Sequence, residues 1–316
     1  MRRRLEVRRP AAHLLRRHRP DVIHSWLFTA NTWARVAGRL TGIPAIITSE
    51  RGMELSRSNV HNRVDHLLQP LADRVIVNAH FLARHVIENR HVPADKIVVI
   101  PNGVDTVRFD SNVDRMEARQ RLGLPLDRPI IGMAASFSPR KRWDLFLHVV
   151  QRVAETHQVL ALAVGEGKLR TEIERQARQM ALGDTVRFLG VRPDMPDVMS
   201  ALDVFLLTSD DEGLPNVVLE AMAAGRPAVA TDAGGTHEAI RSGQTGIVTP
   251  LRDVEGLAEA TSLLLDEPEL AARYGAAGRE VVEREFSFDA CVNRTCDLYL
   301  EVLGEVDRTA ATLAVV

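Results

Sequence analysis

The sequence has two cysteines, few aromatics, almost no lysine and no long apolar run. Cys291 and Cys296 make neither a disulfide framework nor a metal-ligand spacing, and read as reduced thiols of a cytosolic protein. No cluster of His, Asp or Cys carries metal-ligand spacing, so no metal site is expected. No stretch approaches the ~20 apolar residues of a spanning helix, and a signal-peptide core is lacking. A large charge excess is missing too. The net charge of -2 excludes a general nucleic-acid binder, which needs a basic surplus to neutralise phosphates.

Lysine occurs only at Lys96, Lys141 and Lys168. Codon usage in a GC-rich genome accounts for such a bias. Against that background, the lysine in "SPRKRW" is more than a random surface charge. Charge is locally uneven at the start, where eight of the first twenty residues are arginine. Three readings fit that segment: an exposed helix face, an adsorption patch for anionic lipid, or a targeting sequence. Against the last, it lacks serine and carries Glu6.

What is present is alternation. A chain of 316 residues suits two domains of roughly 100–200 residues each. Short apolar runs predict strands at 22–25, 45–48, 75–78 and 97–100, separated by helix-length amphipathic segments. "PNGVDTVRF" (101–109) interrupts with turn chemistry, a helix-like stretch follows, and "PLDRP" (125–129) reads as a linker. Beyond it, strands are expected at 130–134, 159–164, 186–189, 204–207, 228–231 and 247–249. Helices are expected near 141–156, 168–181, 195–201, 215–224, 236–242, 254–265 and 268–284. Continuous apolar strands separated by helices imply parallel sheets covered on both faces.

Ligands of open parallel sheets bind at the carboxyl ends of the strands, so the loops there carry the information. "VFLLTSDDEGLPNVVLEAMAAGRP" reads as strand, loop, helix and exit. Pro215 suits the first helical position, and Gly225 with Pro227 supplies the stop. Leu214 offers no capping oxygen, which leaves the amides of Asn216, Val217 and Val218 as a ready anion site. Glu220 lies four residues after Asn216, on the same helical face. With a diphosphate at the amides, Glu220 could take ribose hydroxyls and Glu212 would lie by a sugar ring. The plainer alternative is a solvent-facing charge at Glu220 and a loop charge at Glu212. Arg140 and Lys141 follow the first strand of this domain and could neutralise a diphosphate, or could be solvated charge before a helix. The glycines of "VGEGKLR" (164–170) allow either close ligand approach or a tight turn, and Gly234 and Gly235 open a helix after the fifth strand. His24 ends "DVIH" and reads either as a cleft residue or, preferably, as a packed strand-end histidine.

"EGLPNVVLEAMAAGRPAVATDAGGTHE", with "VGEGKLR", "VRFLG", "ALDVFLLTS" and "VIPNGVDTVRF", resembles the retaining family-4 glycosyltransferases, the glycosyl transferases group 1. The resemblance runs through most of the chain. It implies an α/β GT-B fold, two Rossmann-like domains facing a cleft. The domains would be a first at 1–125, a nucleotide-sugar-binding second at 126–285, and a C-terminal helix at 286–316 crossing back. It implies that Lys141 binds the donor diphosphate, that Glu220 holds the ribose and that Glu212 lies at the donor sugar. Arg140 assists Lys141, and Gly213, Leu214, Pro215, Asn216 and Val217 line the transferred sugar and phosphate. Glu50 stands where the family often has a histidine, and is the acceptor-side candidate. Ser136 stands where the family usually has an arginine. The family's glycine-rich loop after a first strand has no counterpart here, so the first domain is expected to be incomplete.

The reading is therefore a glycosyltransferase that moves a sugar with retention from a UDP-, GDP- or ADP-linked donor to a glycan or lipid-linked acceptor. No cofactor beyond that co-substrate is expected. The location would be cytoplasmic, with peripheral contact at the inner membrane face. The rivals are a GT-B sugar-nucleotide epimerase and a non-catalytic sugar-nucleotide-binding remnant.

Overall fold

A computed structural model describes residues 8–52, 58–109 and 113–313. The chain forms two compact units: Met1–Pro101 with Cys291–Val316, and Asn102–Ala290. Each carries one wholly parallel sheet.

The first sheet contains β1 (Val22–Trp26), β2 (Ala45–Glu50), β3 (Arg74–Val77) and β4 (Ile97–Val99), paired in sequence order. All six residues of β2 are buried: Ala45, Ile46 and Ile47 make an unbroken apolar run, and the polar Thr48, Ser49 and Glu50 finish the strand. The preceding helix Leu27–Thr41 stops at Gly42, whose φ of 72° is a left-handed cap that a side chain would strain. Ala45, Ile47, Ile76 and Ile100 share a core cluster with Leu298 and Val302 of the helix Phe288–Leu313. Each of the isoleucine, leucine and valine side chains stabilises its unit by roughly 1.5–3 kcal/mol. The end of the chain is thus part of the first unit's core.

The second sheet contains β5 (Ile130–Ala134), β6 (Leu160–Val164), β7 (Val186–Gly190), β8 (Val204–Leu207), β9 (Ala228–Thr231) and β10 (Gly246–Thr249). Its order is β10-β9-β8-β5-β6-β7. Counted within the unit, that is sixth, fifth, fourth, first, second, third. The direction of winding therefore reverses between β5 and β8, and it is at the carboxyl ends of such a reversal that open α/β sheets bind ligands.

The break between units falls at Pro101/Asn102, not at 125/126, and the return at Ala290/Cys291, not 285/286. Two anchors explain the first shift. Arg279 donates from Nη1 to the carbonyl of Phe109 at 2.5 Å and from Nη2 to that of Thr106 at 3.0 Å. Arg119 donates to Asp203 Oδ2 at 2.6 Å, and the same oxygen accepts from the amide of Ile130, the first residue of β5. Residues 102–125 are thereby tied to the second unit by polar contacts far away in sequence. The return shifts because Val104 exchanges hydrogen bonds with Phe286 and Phe288 at 2.8 and 2.9 Å. One helix is shorter than its sequence suggests: Thr236–Ala239 ends where Ile240 turns extended, and the amide of Arg241 bonds Thr245 Oγ1.

Candidate functional site

The loops after β5 and β8 are laced together across the reversal point. Thr208 Oγ1 donates within 3.1 Å of the carbonyl of Lys141 and 3.0 Å of that of Arg142. The amide of Asp210 donates to the carbonyl of Arg140 at 2.8 Å. Arg142 has a φ of 48°, unusual for a side-chain-bearing residue, and holds it by pairing with Asp144 at 2.8 Å and Asp210 at 3.2 Å. That turn delivers Lys141 inward. Its Nζ forms an ion pair with Glu212 Oε1, which also accepts from Ser209 Oγ at 2.6 Å. Lys141 and Glu212 are 9% and 7% exposed, so this pair sits in a low-dielectric setting where it is little screened. The loop after β9 joins through the amide of Gly235, which donates to the carbonyl of Glu212 at 3.3 Å.

The helix Asn216–Ala223 begins beside this pair with no side-chain cap. Pro215 is the capping residue, with extended ψ of 101°, rather than the first helical residue. Its carbonyl accepts from the amides of Val218 at 3.0 Å and Leu219 at 3.3 Å. Val218 is therefore satisfied. Among the described residues, the amides of Gly213, Leu214, Asn216 and Val217 have no protein acceptor. Asn102 donates from Nδ2 to Asn216 Oδ1 at 2.6 Å and to the carbonyl of Leu214 at 3.3 Å, pinning the turn.

Glu220 is half-buried one turn into the helix, and among the described residues its carboxylate has no hydrogen-bond or ion-pair partner. Burial pushes its pKa above the ordinary carboxylate value, and the charge of Arg108 offsets part of that rise. A lone buried carboxylate without a partner is destabilising unless something binds it. Arg140 is exposed and has no acidic partner among the described residues. Ser136 is exposed, with its hydroxyl 3.2 Å from that of Ser138.

The glycines of "VGEGKLR" have a packing reason. A Cβ on Gly165 would lie 2.0 Å from the carbonyl oxygen of Ala135, and one on Gly167 would lie 2.7 Å from the amide of Phe137. They let the loop after β6 dock on the loop after β5, where Phe137 donates its amide to the carbonyl of Glu166 at 2.9 Å.

Glu50 and His24 belong to the first unit. Glu50 is 3% exposed, accepts from Arg90 Nη1 at 2.7 Å and from Asn31 Nδ2 at 3.3 Å. His24 is packed: Nδ1 lies 2.6 Å from the Tyr299 hydroxyl, Nε2 lies 2.7 Å from Ser49 Oγ, and its ring stacks on Trp26 at 4.0 Å. Burial, helped by the charge of Arg51, lowers its pKa to about 4. Below pH 6.5 the unfolded chain therefore binds a proton that the folded chain refuses, so stability falls from there down to about pH 4. The loss is on the order of 2–3 kcal/mol. Denaturant titrations of wild type and His24→Gln check this: the wild type should lose more stability than the variant between pH 6.5 and 4.

Sequence reasoning passed over Ser209, Asn102 and Arg108. Ser209 directly follows a strand at the reversal point, a position that could have marked it. Asn102 was legible only as turn chemistry. Among the described residues no three His, Cys, Asp or Glu side chains are grouped to hold a metal ion.

A doubly wound parallel sheet with basic and acidic loops converging at its reversal point is a nucleotide-binding architecture. With the other unit also built on a parallel sheet, the fold is that of GT-B glycosyltransferases. The family model described as Glycosyl transferases group 1 matches residues 114–281, and that described as Glycosyltransferase Family 4 matches residues 1–108. The chain belongs to the glycosyl transferases group 1 family, and is a glycosyltransferase. It is 24% identical over 301 residues to the UDP-Gal:alpha-D-GlcNAc-diphosphoundecaprenol alpha-1,3-galactosyltransferase of Escherichia coli, covering 92% of this chain and 78% of that one. It is 29% identical over 317 residues to the D-inositol 3-phosphate glycosyltransferase of Acidothermus cellulolyticus, covering 92% and 69%. The solved structure of Anabaena HepE in complex with UDP superposes with a TM-score of 0.80 at 23% identity, covering 96% of this chain and 81% of that one.

Proposed function

We propose that the protein is a retaining hexosyltransferase-like enzyme that uses a nucleoside-diphosphate sugar and a glycan or lipid-linked acceptor. The observation that carries the reading is the Lys141–Glu212 pair beside the uncapped helix start, with the unpartnered Glu220 one turn deeper. In this reading the diphosphate rests on the free amides from Gly213 to Val217 and on Lys141 and Arg140. Glu220 accepts from the ribose hydroxyls, and Glu212 faces the donor sugar. The donor sugar's bond to phosphate breaks while the acceptor oxygen bonds to the same carbon from the same face. The acceptor proton passes to the departing phosphate oxygen. Charge that develops on that leaving group meets fixed donors that need little reorganisation, which is the main electrostatic source of acceleration. No carboxylate pair flanking the bond is needed. Glu50, locked to Arg90, acts in this reading as a support for the first unit rather than as a base.

Support for a UDP-linked donor comes from the names of the Escherichia coli relative and the HepE complex. Calorimetry with UDP, GDP and ADP, each against its nucleoside, is the test. One diphosphate should bind clearly better than its nucleoside, and no binding of any of the three would overturn the assignment. Product stereochemistry by NMR, with an acceptor extract, tests retention.

The lipid-linked acceptor fits a position at the inner membrane face. No helix among the described residues is long and apolar enough to cross a membrane. The helix Arg8–His18 ends in Arg16, Arg17 and His18, and exposes Leu14 at 51%. Residues 1–7, with Arg2, Arg3 and Arg4, lie outside the described residues. Basic residues near an anionic surface contribute about 1 kcal/mol each, screened by salt. Co-sedimentation with anionic vesicles is therefore expected at low salt and should fade as salt is added. Its absence at low salt would leave an ordinary solvated helix.

A further inference from the structure

A cavity of about 660 Å³ opens at the amino-terminal edge of the second sheet. Pro129, Asp203 and Pro227 of its wall directly precede β5, β8 and β9, so it lies at the opposite strand ends from Lys141 and Glu212. The polar wall is rich in arginine. Arg115 and Arg119 both pair with Asp203, Arg119 at 2.6 Å, and Asp203 is further engaged by the amide of Ile130. Arg226 has no such partner. It donates to the carbonyls of Ala224 at 3.1 Å and Leu202 at 3.4 Å, and among the described residues no carboxylate pairs with it. Arg279, which also lines the cavity, is balanced by Glu283 at 2.5 Å.

Arg115, Arg119 and Arg226 therefore share one carboxylate, a surplus of two positive charges. Burial, and then the neighbouring Arg115 and Arg119, push the Arg226 pKa down to about 10, the charge of Asp203 offsetting part of the fall. A half-buried guanidinium with no carboxylate paired to it is costly, and an entering anion would relieve it. The opposite wall is apolar and small: Leu265, Pro268, Ala272 and Ala276, from the helices Val254–Asp266 and Pro268–Glu285.

We propose that this cavity binds a phosphomonoester with an apolar body. The dianionic head sits on Arg226 and Arg115 and matches the surplus of two charges. The body lies against Leu265, Ala272 and Ala276. The site is separate from the donor site and does not depend on the donor assignment.

The test uses n-hexyl phosphate as probe, with inorganic phosphate and hexanol as controls, by calorimetry on the full chain. Hexyl phosphate should bind more tightly than either control. Arg226→Gln should weaken it about tenfold or more, the effect of losing one charged hydrogen bond. Ala272→Glu should do likewise by placing a carboxylate at the mouth. Ala272 is an exposed helical residue, so this variant decides the matter even where Arg226→Gln fails to fold. Ala272→Glu should leave nucleoside-diphosphate binding unchanged, and saturation with nucleoside diphosphate should leave hexyl phosphate binding unchanged. The proposal is overturned by failure of the wild type to bind the probe, by equal binding to both cavity variants, or by displacement of the probe by nucleoside diphosphate. That last result would place the probe in the donor site.

Discussion

Replacing Lys141 with alanine is expected to lower nucleoside-diphosphate affinity by more than tenfold while leaving nucleoside affinity nearly unchanged. The lysine is the buried cation at the reversal point, and a nucleoside has no phosphate for it to meet. The same variant should also lose stability. It strands Glu212 as a buried carboxylate held, among the described residues, by Ser209 Oγ at 2.6 Å, and breaking such a pair costs about 3–5 kcal/mol. The double variant Lys141→Met with Glu212→Gln removes both charges and should recover most of that stability without recovering diphosphate binding. Chemical denaturation alongside calorimetry separates the two effects. Equal losses of nucleoside and nucleoside diphosphate in Lys141→Ala would count against the diphosphate role.

Glu220→Gln is expected to move stability and binding in opposite directions. The raised pKa of Glu220 comes first from burial, so it is the charged form that the fold disfavours. The sign follows. The folded protein holds this proton more tightly than the unfolded chain, so the penalty is present above the folded pKa and is relieved as pH falls below the ordinary carboxylate value. Glutamine removes the charge, and the ligand-free variant should melt at or above the wild-type temperature near neutral pH. Affinity for the nucleoside diphosphate should fall by about 1.5–3 kcal/mol, the loss of a charged hydrogen bond. A melting temperature that drops, with affinity unchanged, would make Glu220 a structural residue and remove the ribose assignment.

Much of this was open to inspection in the sequence, for a definable reason. Strands buried on both faces are largely apolar along their length, so β5, β8 and all but the last residue of β9 stand out as short apolar runs, matched at 130–134, 204–207 and 228–231. The uncapped start before Asn216 was legible because capping depends on near neighbours. Its details were not: that Pro215 caps through its own carbonyl, and so occupies Val218, depends on backbone angles. The Lys141–Glu212 pair was visible as two candidates but not as a contact. Seventy-one residues separate them, and only the order of strands brings their loops together. For the same reason the tether of residues 102–125 to the second unit was hidden, since it runs through Arg279 and Asp203. The packing of His24 depends on Tyr299, 275 residues away.

The Lys141–Glu212 pair also bears on which anions the site rejects. A cationic pocket with a bare ammonium would fill with whatever anion is abundant, free phosphate above all. Here the ammonium is already neutralised from within, and Glu220 adds a negative charge nearby. An incoming anion must take Lys141 from Glu212 and tolerate that second carboxylate. Inorganic phosphate has only its charge with which to do so. A nucleotide sugar in the proposed pose brings hydroxyls to both carboxylates as its diphosphate takes the lysine and the free amides. In that proposed pose the two glutamates would act as a threshold, one that simple anions fail and a molecule carrying both phosphate and sugar passes.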